Sequence, residues 1–453
     1  MKSLPLFEAR MRAAGLPSIA IEAFAQAYRR LVAGETGMID EASIAPVEDL
    51  PDLDRLPAGL ADVGRSALGQ AVVIRLNGGL GTSMGLEKAK SLLPVRDGLT
   101  FLDVIVRQAS HLGARLLLMN SFATEDDTRV ALRRYPDLPE DIPLTFVQNR
   151  VPKVHQDDLS PARWPRDSDL EWCPPGHGDI YTALQTTGIL EKLLEAGCRW
   201  AFIANADNLG AVLDARLLGW FIENRLPFAM EVADRTDADR KGGHLARRGN
   251  RLILRELAQC SADEHAHFQD IRRHRYFNTN NLWIDLQALR EVLRARSGVL
   301  GLPIIVNKKT VDPRDPDSPA VFQLESAMGA AIGVMEGAGA IRVPRGRFSP
   351  VKTTDDLLVV RSDAYRLTDD WRVVLDAPQT PLVALDPKYY KMVDDLEARF
   401  PHGPPSLRAC TSLRVEGDVR FGRGVVVRGA VVARGVSEIP DGAVLEAVVT
   451  SPG

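Results

Sequence analysis

Cysteine is scarce in this sequence: four residues in 453, at positions 173, 198, 260 and 410. None falls in a C-x-x-C pair, which argues against a disulfide scaffold or a thiolate zinc site and for the reduced thiols of a cytoplasmic protein. Long hydrophobic runs are missing as well. No apolar stretch reaches the roughly 18–20 residues that span a bilayer. The N-terminal MKSLPLFEARMRAAGL meets Glu8 and several arginines too early for a secretory leader. Neither sign of charge dominates: 56 basic side chains stand against 60 acidic ones, a formal net charge of −4. That balance argues against a general nucleic-acid or anionic-membrane binder. What is present is ordinary globular composition, 45% hydrophobic and 26% charged. The length suits about three domains of ~150 residues each.

Residues 5–34 have helical apolar spacing, and the Pro- and Asp-rich stretch PVEDLPDLDRLP (46–57) reads as an exposed connection. From residue 70 short apolar runs recur: AVVIRLNG (71–78), ARLLLMN (114–120), PLTFVQN (143–149), WAFIAN (200–205) and LPFAMEVA (226–233). Amphipathic stretches at 101–111, 124–135 and 180–196 intervene. This alternation predicts a mostly parallel α/β sheet with helices on both faces, and ligands of such sheets sit at the carboxyl ends of the strands. Between Leu413 and Ala433 the chain falls into six-residue units, LRVEGD, VRFGRG, VVVRGA and VVARGV. A hexapeptide period is the signature of a left-handed parallel β-helix; Val-rich antiparallel strands joined by Gly turns are the alternative.

The strongest local signal is LNGGLGTSMG (76–85), directly after the first apolar run. Glycines in a strand-to-helix turn let the backbone approach a ligand and point its N–H groups at phosphate oxygens. Lys90 can add a mobile ammonium. The turn lacks the G-x-x-x-x-G-K-[ST] order of a P-loop and only loosely matches a dinucleotide fingerprint.

Further motifs follow in order: MNSF (119–122), QNRVPK (148–153), WCPPGHGD (172–179), NADNLG (205–210), FNTNNLW (277–283), NKKTVDP (307–313), QLESAMG (323–329) and RFSPVKTTDDL (347–357). With LNGGLGTSMG-LEKAKS they closely resemble the UTP–glucose-1-phosphate uridylyltransferase (UDP-glucose pyrophosphorylase) family of the eukaryotic type, from about residue 70 to 360. The resemblance implies a Rossmann-like, GT-A-like nucleotidyltransferase with a mixed sheet flanked by helices and a C-terminal left-handed parallel β-helix. The domains expected are a helical N-terminal section (1–69), a catalytic domain (70–385), a connecting helix or linker (386–405) and a short hexapeptide β-helix (406–453). The implied reaction joins UTP and glucose 1-phosphate into UDP-glucose and pyrophosphate, reversibly and with Mg²⁺. A direct displacement needs no nucleophilic side chain, so catalysis would rest on positioning and electrostatics.

Roles are carried over by the same resemblance. The backbone of Leu76, Gly78 and Gly79 would line uridine and phosphates, and Lys90 would hold the UTP phosphates. Lys88-Ala89 stands where the family more usually has Gly-Pro. Gln148 has an amide that donates and accepts at once, as the uracil edge requires; Gly176 would pack near the base and His177 would face the sugar phosphate. Asp207 would bind Mg²⁺ between phosphates, a hard cation favouring oxygen ligands; capping the next helix is its plainer role. Asn205, Asn278, Thr279 and Asn280 offer amide and hydroxyl groups suited to sugar hydroxyls, the resemblance favouring Asn205 and Asn280, and Gly243 and Glu256 fit the sugar-side loop. Lys352 would clamp the phosphates from the far side.

Three other readings stay open. The sugar could be galactose or an N-acetylhexosamine 1-phosphate, although that last branch more often shows an LAGGQGT-type loop. An oxidoreductase would need an acidic ribose reader about 20 residues past the glycines, and Asp97 and Asp103 fall in a loop and a helix instead. A non-catalytic UDP-sugar sensor would have lost Lys90, Asp207 or Lys352. The hexapeptide tail could also join copies into a homo-oligomer, and no nucleic-acid or membrane partner is expected.

Overall fold

A computed structural model describes residues 2–449; the last four residues of the expected tail domain, and Met1, lie outside them. The central sheet is built from β1 (Ala71–Asn77), β2 (Arg115–Asn120), β3 (Thr145–Val147), β4 (Trp200–Asn205), β5 (Phe228–Asp234), β6 (His244–Arg248), β7 (Arg251–Arg255), β8 (Tyr276–Asp285) and β9 (Gly339–Arg342). The order β3-β2-β1-β4 is parallel throughout. Beside it β8 runs antiparallel to both β4 and β5, and β9 then pairs in parallel with β5. The sheet is therefore mostly parallel with an antiparallel member at its centre. No apolar run announced β8, because FNTNN is polar.

Side chains alternate across the pleat, and the two cores show it. Val73, Leu116, Leu118 and Phe202 join one apolar cluster, with the helices Phe101–Leu112 and Ala215–Glu223. Val72, Ile74, Leu117 and Ile203 join the other, with Ile180–Thr186, Ile189–Glu195 and Leu286–Ala295. The stretch expected as one helix over 180–196 is two, broken at the left-handed Gly188. Helix Phe101–Leu112 starts at a Thr100–Asp103 capping box and stops at left-handed Gly113, both strong boundary signals.

The N-terminal helices Leu4–Ala13 and Ser18–Val32 place Phe7, Met11, Phe24 and Tyr28 against Val151, Val154, Cys173 and Leu324. This section thus braces the two motifs at 148–153 and 172–179. At the tail, Ser406–Glu416 pairs in parallel with Val426–Arg434, setting Leu413 beside Val431, three hexapeptides on. Val426 in turn pairs with Val444. Parallel pairing removes the antiparallel alternative. The stack begins earlier than the repeat: Leu382–Leu385 pairs in parallel with Ser412–Val415. No helix among the described residues is long and apolar enough to cross a membrane.

Helices Leu60–Ala67 and Ala215–Glu223 cross at two glycines. A methyl group at Gly64 would stand 1.7 Å from the Ala215 carbonyl oxygen, and one at Gly219 1.9 Å from that of Leu60. Alanine for glycine inside a helix is ordinarily favourable by about 1 kcal/mol. Here we expect Gly64→Ala to cost about 1–3 kcal/mol, the range of an overpacked core, measured as a lower midpoint of thermal unfolding. An unchanged or raised midpoint would contradict this crossing.

Candidate active site

Strand β1 ends at Asn77, whose side-chain amide donates to Asn120 Oδ1 on β2 and to Thr128 Oγ1. The chain then turns through Gly78 and Gly79. Gly78 is confined: its added methyl would lie 3.1 Å from Gln148 Nε2 and 3.5 Å from Ser121 Cβ, and its carbonyl accepts from Ser121 Oγ. A methyl added at Gly79 would meet nothing within 4 Å, so space is open above the turn. Left-handed Gly81 and Gly85 carry the loop back, and the Lys90 N–H closes it on the Gly79 carbonyl at 3.0 Å.

Lys90 reaches across to the end of β4. Its Nζ donates to Asp207 Oδ2 at 3.0 Å and to the Val351 carbonyl. Lys352 Nζ arrives from the opposite side at 2.8 Å from the same Asp207 oxygen. Lys90 is 14% exposed and Lys352 57%, so one ammonium is built in and the other stands at the rim. Burial alone would raise the Asp207 pKa, but the two ammonium groups more than offset it and hold the carboxylate ionised below its usual range. Its second oxygen, Oδ1, is buried and has no hydrogen-bond partner among the described residues. The Val351 N–H donates to the Asp207 carbonyl, so the loops after β4 and before helix Thr354–Arg361 interlock. The acids at 355 and 356 start that helix: Asp356 forms its capping box with Thr353.

The third wall is Pro174–Asp179. Gly176 is left-handed and lies tight against the Ser326 backbone, 2.5 Å from where a methyl would sit. His177 Nδ1 accepts from the Met328 N–H at 2.9 Å, which leaves Nε2 to carry the proton of the neutral ring. Burial and the Lys352 charge push the His177 pKa down to about 4. Behind it Asp179 accepts from the Asn149 N–H and side-chain amide, tying this wall to Gln148; burial pushes its pKa up to about 7.

Leu76, Gly78, Gly79, Lys90, Gln148, Gly176, His177, Asn205, Asp207 and Lys352 line one cleft of about 330 Å³, and Asn77, Ser91, Met119, Pro174 and Ala206 complete it. Gly243, Glu256, Thr279 and Asn280 are not part of that lining. They form an adjoining patch on β8 and the β6–β7 hairpin. A methyl at Gly243 would meet the Glu256 carboxylate at 2.5 Å, and burial pushes the Glu256 pKa up to about 7. Thr279 and Asn280 sit in a bulge of β8 opposite Glu231 and Val232. Asn280 is left-handed and bonded to Asn278, while the Thr279 hydroxyl is buried and donates to the Glu231 carbonyl. That hydroxyl is committed to the sheet.

Sequence reasoning passed over Arg75, Glu231 and Arg347. Arg75 is buried and donates to the Asn208 and Ala211 carbonyls beneath the Asp207 loop, with its pKa pushed down to about 9 by burial and by Arg347. The signal available was a charge inside an apolar run, as in AVVIRLN and FAMEVAD.

The cleft thus gathers a glycine turn, two cations and a carboxylate with a spare oxygen at the carboxyl edge of a mostly parallel sheet, which is the construction of a protein that handles nucleoside phosphates. Known proteins narrow it. The profile of the family described as UTP–glucose-1-phosphate uridylyltransferase matches residues 21–428. The enzyme of that name from Solanum tuberosum is 41% identical over 440 residues, 92% of this chain and 89% of its own. That from Saccharomyces cerevisiae is 41% identical over 400 residues, 85% of this chain and 79% of its own. Among solved structures, a mutant UDP-glucose pyrophosphorylase from Leishmania major in complex with UDP-glucose superposes with a TM-score of 0.93 at 44% identity, covering 99% of both chains. The UDP-glucose phosphorylase structure from Trypanosoma brucei superposes with 0.90 at 46% identity, covering 99% of this chain and 100% of its own. The chain belongs to the UTP–glucose-1-phosphate uridylyltransferase family.

The depressed His177 pKa has a testable sign. An unfolded histidine takes up a proton near its ordinary pKa of 6.5, whereas the folded one does so only near 4. The neutral ring therefore contributes stability that is full above pH 6.5 and is lost as pH falls toward 4. We expect His177→Gln to flatten the unfolding midpoint against pH over that window relative to wild type. Parallel curves would show that His177 titrates normally.

Proposed function

We propose that this protein transfers the uridylyl group of UTP to glucose 1-phosphate, releasing pyrophosphate, and runs the reverse reaction equally. The observation that carries this reading is the convergence of Lys90 and Lys352 on one oxygen of Asp207 beside the glycine turn and Gln148. A phosphate oxygen of the sugar attacks the α-phosphorus, one P–O bond forms, and the bond to pyrophosphate breaks. Two anionic reactants repel each other, so the chain's task is to align them and to offset charge growing on the leaving pyrophosphate. Lys90 and Lys352 are placed for that from two sides. Neutral His177 donates Nε2–H to a phosphate oxygen while its other nitrogen holds the ring fixed. Gln148 reads the uracil edge, with Leu76, Gly78, Gly79 and Gly176 around the nucleotide. Asn205, Asn280, Gly243 and Glu256 serve the sugar, with Thr279 acting through its backbone.

The donor set fits Mg²⁺. Asp207 Oδ1 is an unpartnered buried acceptor, and no group of three or more potential metal-ligating side chains occurs among the described residues. A cation held by one carboxylate takes its remaining ligands from phosphates and water, the usual habit of Mg²⁺. When bound, it supplies charge that draws the phosphates together.

We further infer that the tail is the β-helix expected from its hexapeptides, supported by its parallel pairings three units apart. Val444 and Val448, 50% and 56% exposed at its end, support self-association there. Four free, buried thiols fit a cytoplasmic location.

A pyrophosphate-release assay with a panel of hexose 1-phosphates and Mg²⁺ should show activity with UTP and glucose 1-phosphate. Release with galactose or N-acetylhexosamine 1-phosphate alone would move the assignment to that sugar, and release with ATP but not UTP would overturn the uracil role of Gln148. Lys352→Ala should lower kcat/KM about 100-fold, the scale of losing one charge-stabilising donor, with thermal stability nearly unchanged; full turnover would refute the clamp. Asp207→Asn should raise the Mg²⁺ concentration for half-maximal rate by at least about tenfold. An unshifted metal titration would remove Asp207 from the cation site.

A further inference from the structure

Behind the cleft lies a buried carboxylate that none of the roles above uses. Glu231 is fully buried in β5, in an otherwise apolar run. Four donors fill its two oxygens: Arg347 Nη2 at 2.6 Å and Trp283 Nε1 at 2.9 Å on Oε1, Arg347 Nε at 2.8 Å and Asn281 Nδ2 at 3.0 Å on Oε2. A carboxylate has about four lone-pair sites, so this one is saturated and accepts nothing from a ligand.

Its partners lead in two directions. Asn281 directly follows the left-handed Asn280, and the Thr279 hydroxyl bonds the Glu231 carbonyl, so one side of Glu231 holds both ends of the sugar-side bulge. On the other side Arg347 opens the segment that ends in Lys352. Its Nη2 also donates to the Val212 carbonyl, and its own carbonyl accepts from the side chains of Asn208 and Asn281. Asn208 Oδ1 then accepts the Ser349 N–H. Asn208, next to Asp207, is thereby locked to the segment carrying Lys352.

We propose that Glu231, acting through Arg347 and Asn281, is the positioning residue that sets the sugar-side bulge at a fixed distance from the Asp207–Lys352 clamp. The inference rests on the uridylyl-transfer reading. A buried ion pair is weak evidence for stability, since apolar replacements of such pairs are often neutral. This pair instead bridges two loops that hold different substrates. Displacement of one reactant by about 1 Å can cost about 100-fold in rate, whereas among the described residues no side-chain hydrogen bond of this network reaches Gln148 or Gly176 on the uracil side.

The test is steady-state kinetics of the purified full chain, normalised to folded protein, together with calorimetric binding of UMP. Glu231→Gln puts an NH₂ group among four donors and leaves Arg347 without its counter-charge. We expect kcat to fall at least about tenfold and KM for glucose 1-phosphate to rise, with UMP affinity unchanged. Arg347→Lys keeps the charge but loses the forked contact and should show the same split more mildly; it decides the question should Glu231→Gln not fold. Wild-type kcat and KM in the folded variants, or UMP and sugar affinities weakening together, would overturn the positioning role. A wild-type chain inactive with UTP and glucose 1-phosphate would overturn the reaction instead.

Discussion

One carboxylate oxygen holds the site together. Lys90 and Lys352 come from segments far apart in the chain, and their ammonium groups would repel each other if brought to one point without a counter-charge. At an effective dielectric near 20, two unit charges 4 Å apart interact by about 4 kcal/mol, enough to drive the rim lysine into solvent. Asp207 makes the convergence favourable and still leaves the cluster one charge positive. The carboxyl edge of the sheet therefore carries a preassembled cationic cluster.

That carboxylate is itself supported from below. Arg75 grips the carbonyls of the loop after β4, Arg347 grips the next one, and the Val351 backbone crosses over to Asp207. The glycine turn shows a division of labour: Gly78 is small because Gln148 and Ser121 crowd it, while Gly79 faces empty space. The first glycine serves the protein's own packing and the second leaves room for a guest.

Much of the sheet was legible because buried parallel strands read as apolar runs. Ala71–Asn77, Arg115–Asn120 and Trp200–Asn205 fall within a residue or two of expectation. Tyr276–Asp285 escaped because its asparagines satisfy one another and the sheet inside a bulge, giving a buried strand a loop-like composition. The tail's period was visible from Leu413 onward, but Leu382–Leu385 joins the same stack without the repeating glycines that mark a hexapeptide. Of the site, the motifs with long flanking matches, such as WCPPGHGD and RFSPVK, mark residues that line one cleft. The short matches KGGHL and LRELAQ mark an adjoining patch. Arg75, Glu231 and Arg347 were hidden because their roles depend on partners distant in the chain, from Asn281, 50 residues beyond Glu231, to Ala211, 136 residues beyond Arg75, which no local pattern encodes.

The bond from Lys90 to the Val351 carbonyl spans 261 residues of sequence. During synthesis the glycine turn emerges early and Asp207 follows before the middle of the chain, yet the Val351 carbonyl that completes the grip on Lys90 comes only after more than three-quarters of the polypeptide has left the ribosome. Such non-local closure is slow and comes late in folding. A truncated or half-made chain therefore carries the glycine turn and Lys90 without Lys352, and the pair of lysines on Asp207 assembles only late in synthesis.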